Sequence, residues 1–83
     1  MKSTRHIVQT PEEFGTVLRA ERRARGLTQA HAAAIAGVGV RLWNEAERGK
    51  RKQLGLETAL RMLQTFGLDL SVESRAQRGS VPR

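Results

Sequence analysis

The chain of 83 residues has no cysteine and only two histidines, His6 and His31. Disulfide staples and cysteine-rich zinc sites are therefore excluded, and the lack of cysteine is compatible with a reducing compartment. A long apolar run is missing too. The longest stretch without a formal charge covers residues 26–40 and includes Thr28, Gln29 and His31; it is too short and too polar to cross a bilayer. Near the N-terminus, Lys2 and Arg5 precede only Ile7 and Val8 as an apolar pair, which gives no signal-peptide core. These absences predict a soluble, cytoplasmic protein with no membrane partner.

The groupings that catalysis needs are scarce as well. There is no His-x-x-x-His spacing, no paired-carboxylate spacing, and no glycine-rich loop following a strand. Glu12 and Glu13 are explained by helix capping, and Asp69 and Glu73 by the outer face of an alternating segment. The residues predict a protein that is not an enzyme and carries no metal or cofactor.

What the chain has in excess is positive charge. Lys and Arg number 15 against 8 Asp and Glu, a formal net charge of +7, with a pI near 11.5. So basic a domain attracts polyanions, nucleic acid first and an acidic membrane surface second. At this length the chain forms one domain with a small core. With metals and disulfides excluded, a second subunit is the remaining source of extra burial.

Residues 1–10 read as an arm, extended or forming a short edge strand through Ile7 and Val8. Thr10-Pro11-Glu12-Glu13 then gives a hydroxyl cap, a proline at the first helical position and a glutamate at the third, the pattern of a capping box. Phe14, Val17 and Leu18 supply an apolar stripe, and Gly26 ends this first helix, predicted over 11–25. Thr28 caps a second helix whose inward positions are Ala32, Ala33, Ile35 and Ala36; such small residues allow close approach of a neighbour. Gly37-Val38-Gly39 is a tight corner, with Val38 plugging the space between two helices. A third helix over about 39–48 carries Leu42, Trp43 and Ala46 on one side, with Val40, Arg41, Asn44, Glu45 and Arg48 on the other. The basic loop Lys50-Arg51-Lys52-Gln53 follows. Leu56, Ala59, Leu60, Leu63 and Phe66 stripe a fourth helix, with Met62 at its margin, and Gly67 stops it. Beyond it, Leu68, Leu70 and Val72 alternate with Asp69, Ser71 and Glu73, which predicts a half-buried strand over 68–74. A lone strand needs a partner. The arm is one candidate, but a symmetric pairing with a second copy fits the small core, so a homodimer is expected. Residues 75–83 are polar and basic and predict a disordered tail.

Two short helices joined through Gly37-Val38-Gly39 form the corner of a helix-turn-helix. The third helix keeps an apolar face for docking and a polar face for reading. Arg can take a guanine edge, Asn an adenine edge, and Glu a cytosine amine. Lys50, Arg51 and Lys52 come directly after it, placed to meet phosphate. Taken singly, a polar helix face is solvated and a basic loop only solubilises. Their order along one chain points to double-stranded DNA.

The pattern Gln29-x-x-Ala-Ala-x-Ile-Ala-Gly37-Val38, followed by Glu47-Arg48-Gly49-Lys50, resembles the helix-turn-helix of the Xre family, which includes phage repressors. Arg41-Leu42-Trp43, Gly49-Lys50-Arg51 and the terminal Leu68-Asp69-Leu70-Ser71-Val72 are similar to the HipB-like antitoxins. The resemblance implies a mainly α fold of four to five helices over 11–67, with a C-terminal strand pairing across a homodimer. It implies operator DNA and a HipA-like kinase toxin as partners. It makes Val40, Arg41, Asn44 and Glu45 the base-reading positions, Gln29 a base or phosphate contact at the start of the second helix, and Thr28, Arg48, Lys50, Arg51 and Lys52 the phosphate contacts. Arg22 would bridge to Glu47, with Trp43, Ala33 and Val38 as scaffold and Leu68, Leu70 and Val72 at the dimer. In three places the chain departs from the family pattern: Gly39-Val40 replaces a polar pair, Trp43 an aliphatic residue, and Ala32 a larger one. The expectation is an autoregulating repressor and antitoxin on a palindromic operator. The alternatives are a stand-alone regulator and a protein-interaction module that does not bind DNA.

Overall fold

The computed structural model describes residues 5–76 and contains four helices: α1 (Pro11–Ala24), α2 (Gln29–Ala36), α3 (Val40–Glu47) and α4 (Leu56–Gln64). Local chemistry sets each boundary. The Thr10 hydroxyl accepts from the Glu13 amide at 3.0 Å. The Glu13 carboxylate reaches back one residue further than in the usual capping box, to the Gln9 amide at 2.6 Å. Thr28 caps α2 through the His31 amide at 3.0 Å. Gly39 starts α3 with no side-chain cap.

All four helices end the same way. A glycine at φ near +70° (Gly26, Gly37, Gly49 and Gly67) donates back three residues, and the residue after it donates back five. This is the Schellman arrangement, which satisfies the last carbonyls of a helix and favours glycine at the left-handed position. After three of these glycines the next residue is apolar, and Leu27, Val38 and Leu68 all pack against the core. After Gly49 it is Lys50, which is exposed.

The core is built from Leu18, Ala32, Ala33, Ala36, Trp43, Ala46, Met62, Leu63 and Phe66. Trp43, Leu18 and Met62 are its largest fully enclosed side chains. Trp43 meets Phe66 edge to face, with ring centroids 5.8 Å apart, a favoured aromatic geometry. Arg25 closes the core's margin: its guanidinium lies 5.1 Å from the Phe66 ring centroid and donates to the Phe66 carbonyl at 2.9 Å. α1 and α3 approach closely at Gly15, where a methyl group would stand 2.5 Å from the Glu47 carbonyl oxygen.

Several expectations are corrected here. Ile35 is 63% exposed rather than part of the scaffold. On a helix turning about 100° per residue, Ala32, Ala33 and Ala36 share one side and Ile35 falls well off it. Leu56 is 65% exposed, and Met62 is fully enclosed rather than marginal. The inward stripe of α4 therefore runs Ala59, Met62, Leu63 and Phe66, the same i, i+3, i+4, i+7 spacing begun three residues later. Among the described residues there is no strand. Residues 69–74 have no regular structure, with Leu70 55% and Val72 91% exposed, while Leu68 packs on the core. A strand is defined by a paired neighbour, and among the described residues these find none. Residues 75–76, the start of the expected tail, have helical backbone; the rest of that tail, and the first four residues of the arm, lie outside the described residues. Among the described residues, no helix is long and apolar enough to cross a membrane.

Candidate nucleic-acid interface

The side of α3 opposite Trp43 and Ala46 presents Val40 and Arg41 to solvent, with Asn44 and Glu45 half-buried beside them. The Arg41 side chain is 91% exposed, and its Nε lies 3.2 Å from the Glu45 carboxylate one turn along. Glu45 also receives Arg51 at 3.4 Å, so one carboxylate bridges the exposed face of α3 and the loop after it. Arg48 and Lys50 are exposed and have no carboxylate partner among the described residues. Lys52 reaches across to Glu12 at the start of α1, at 2.8 Å. That contact holds the Glu12 carboxyl below its usual range, first through the Lys52 hydrogen bond.

Beneath this face lies a buried ionic centre. Glu47 is the one buried charged residue among those described. Its Oε2 accepts from Arg22 Nε at 2.5 Å and Trp43 Nε1 at 2.6 Å. Its Oε1 accepts from Arg22 Nη2 and Gln29 Nε2, each at 3.0 Å. Burial pushes this carboxyl up, but hydrogen bonds from Arg22, Gln29 and Trp43, with the Arg22 charge, outweigh burial and leave it below the ordinary value. Arg22 also donates to the Leu27 carbonyl at 2.8 Å, so a single guanidinium ties the end of α1 to the entry of α2 and the end of α3. Asn44 Nδ2 donates to Gln29 Oε1 at 3.1 Å, which carries the network up to the exposed face. The arrangement can present a rigid, cation-bearing helix to a polyanion.

A helix-turn-helix domain family matches this chain over residues 13–76. The chain belongs to that family. An HTH-type transcriptional regulator of Sinorhizobium fredii, y4mF, named as uncharacterized, is 33% identical over 72 residues, which cover 86% of this chain and 92% of that protein. The small residues of α2, the Gly37-Val38-Gly39 corner and the Glu47-Arg48-Gly49 ending mark an Xre-like helix-turn-helix protein.

Within this helix-turn-helix, the residues expected at the reading face are brought together, but their side chains are not equally free. Val40 is open, and Arg41 is 91% exposed although its Nε pairs with Glu45. Gln29 and Asn44 are bonded to each other, and Gln29 also to Glu47. The Thr28 oxygen is occupied as a cap acceptor, which leaves its O–H to donate. Of the expected phosphate contacts, Arg48 and Lys50 are unencumbered among the described residues, whereas Arg51 and Lys52 are paired within the chain. Two features escaped the sequence. The Gln29–Asn44 and Lys52–Glu12 contacts join residues 15 and 40 positions apart, and no local pattern announces them. The Trp43–Glu47 bond, by contrast, spans four residues of one helix, a spacing the sequence displays.

Proposed function

We propose that this chain is a sequence-specific, double-stranded-DNA-binding transcriptional repressor that acts as a homodimer on a palindromic operator. The observation that carries the reading is the exposed face of α3. An almost fully solvated Arg41 stands one turn from Asn44 and Glu45. The exposed cations Arg48 and Lys50 follow, on a helix locked from behind by Arg22 and Glu47. In the major groove, Arg41 would take a guanine edge, Val40 a thymine methyl, and Asn44 an adenine edge after releasing Gln29. Thr28, Arg48, Lys50, Arg51 and Lys52 would meet phosphates. The relative's name as an HTH-type transcriptional regulator supports the regulatory role.

The dimer would form where apolar surface is uncovered. Leu70 and Val72 are exposed beside a groove of about 350 Å³ lined by Val8, Phe14, Leu56, Leu60 and Leu68, among others. Pairing of residues 68–74 across two copies would satisfy their backbone and place two α3 helices about 10 bp apart on one DNA face. The finer part of the proposal is that the repressor is also the antitoxin of a HipA-like kinase and autoregulates their shared operon. Its support is the resemblance at residues 41–43, 49–51 and 68–72. The second reading, a stand-alone regulator, is favoured by a relative whose name mentions regulation alone.

A gel shift with the DNA upstream of this chain's own gene tests the core reading. A shifted band that resists mixed-sequence competitor is expected; no band would leave a protein-interaction module. Co-purification with the product of an adjacent kinase-like gene tests the antitoxin role, and the absence of any such gene favours the stand-alone reading. Arg41→Ala is expected to cost about 1–3 kcal/mol on the operator and to relax sequence preference. Equal weakening on operator and random DNA would reduce Arg41 to a phosphate contact.

A further inference from the structure

Arg19 lies on α1, outside every residue assigned to DNA so far. Its Nε is 3.7 Å from Glu47 Oε1, and its side chain is 44% exposed against 0% for Glu47. An ion pair at that distance invites a structural explanation, but the lone-pair count of Glu47 argues otherwise. A carboxylate offers about four acceptor sites, two per oxygen. Here Arg22 Nε and Trp43 fill Oε2, while Arg22 Nη2 and Gln29 fill Oε1. No site remains for Arg19, and 3.7 Å lies beyond hydrogen-bond reach. Arg22 already engages both carboxylate oxygens in a two-point contact. Arg19 is thus held near by Coulomb attraction alone, with a full positive charge to spare and no hydrogen bond among the described residues.

Its location gives that spare charge a use. Oε1 is shared with Gln29, so the Arg19 guanidinium stands beside the first turn of α2, where Gln29 keeps a second amide hydrogen and links on to Asn44 of α3. In helix-turn-helix docking, the helix before the recognition helix crosses the phosphate backbone; here that helix is α2, and Arg19 stands beside its first turn. We propose that Arg19 is a backbone-phosphate contact, extending the DNA footprint onto α1 beside Gln29, for which the family resemblance already implies a phosphate or base contact. The proposal rests on the DNA reading above. An arginine fork suits a phosphate in two-point contact, and pre-positioning by Glu47 lowers the ordering cost of a long side chain.

The test is a titration of a mixed-sequence duplex with the full chain, across a range of salt concentrations. Arg19→Gln is expected to weaken binding by the same factor on every duplex and to lower the slope of log affinity against log salt by about 0.9. Arg19→Lys, which keeps the charge, is expected to restore the slope. Thermal melts of both variants should match the unaltered chain, because Glu47 keeps all four of its donors. An unchanged slope for Arg19→Gln, with the unaltered chain bound, would overturn this proposal alone. A lowered melting temperature in both variants would make Arg19 a structural member of the Glu47 centre and overturn it too. Failure of the unaltered chain to bind any duplex at low salt would remove the DNA reading itself.

Discussion

Glu47 is where α1, α2 and α3 converge, and its four donors come from residues 22, 29 and 43. Replacing the carboxylate by an amide removes the counter-ion of Arg22 and sets an NH2 group against donors that one oxygen had served, in a water-poor site. Glu47→Gln is expected to cost about 3–5 kcal/mol, the usual penalty for breaking a buried pair, read as a drop in urea midpoint. The pH dependence follows from the lowered carboxyl. A group whose folded pKa is depressed contributes stability above its unfolded value, near 4.5, and loses it as pH falls through the lower, folded value. The gap in midpoint between the unaltered chain and Glu47→Gln should therefore be full at neutral pH and narrow progressively below pH about 4.5. A gap that stays constant into acid would show that Glu47 is not ionised in the native state. Glu45 acts on the opposite, exposed side. It draws Arg41 and Arg51 toward itself and places negative charge where, on the proposed reading, phosphates and bases would approach. Glu45→Gln is expected to raise affinity for mixed-sequence duplex and to reduce discrimination between operator and random DNA, as read by competition titration. Weaker binding to both would mean that Glu45 chiefly orients the two arginines.

At the scale of the elements, the fit of α3 against α1 depends on the missing side chain at Gly15, where a methyl would collide with the carbonyls of Ala46 and Glu47. Backbone carbonyls at a helix end cannot step aside, so Gly15→Ala is expected to cost about 3 kcal/mol and to loosen α3 as well. An unchanged melting temperature would show that the two helices can shift apart freely. Gly49 is constrained twice, by a φ of +69° and by Glu12, whose Cα would lie 2.9 Å from an added methyl. Neither close approach is legible in the sequence, because a glycine's neighbours in space cannot be read from its neighbours along the chain. The helix starts and stops are legible: Thr10-Pro11, Thr28, Gly26, Gly37, Gly49 and Gly67 are local signals, and each marks a boundary close to where it is expected. The pattern misleads where an apolar residue sits at the edge of a stripe. Ile35 and Leu56 are apolar yet turned out, while Met62 is turned in, because packing between helices, rather than hydrophobicity, selects the buried side. The exposed face of α3 proposed to read DNA is legible as a set of residues, but not which of them are free. Gln29 is tied down by Glu47 and Asn44, which lie 18 and 15 residues away. Arg19 carries no signal of its own, because nothing in the sequence tells how many donors Glu47 already has.

For the whole molecule, the charge of +7, the solvated α3 face and the uncovered apolar segment at Leu70 and Val72 fit the proposed scheme of a basic dimer that presents two recognition helices. Leu70→Asp with Val72→Asp should leave the folded subunit intact, since both side chains are exposed, and convert a dimer into a monomer in sedimentation equilibrium, with a matching loss of operator affinity. An unaltered chain that sediments as a monomer at all concentrations would place these residues outside any self-association. The loop cations bear on long-range attraction. Neutralising Lys50, Arg51 and Lys52 together is expected to lower the salt slope by about 0.9 for each phosphate that they neutralise. An unchanged slope would take the loop out of the interface. The most direct test of the central claim is selection of bound duplexes from a randomised DNA pool by the unaltered chain. Enrichment of a palindromic site is expected, with half-sites about 10 bp apart and a guanine at the one position where Arg41→Ala abolishes preference. A recovered pool with the same sequence composition as the starting pool would contradict sequence-specific recognition by α3.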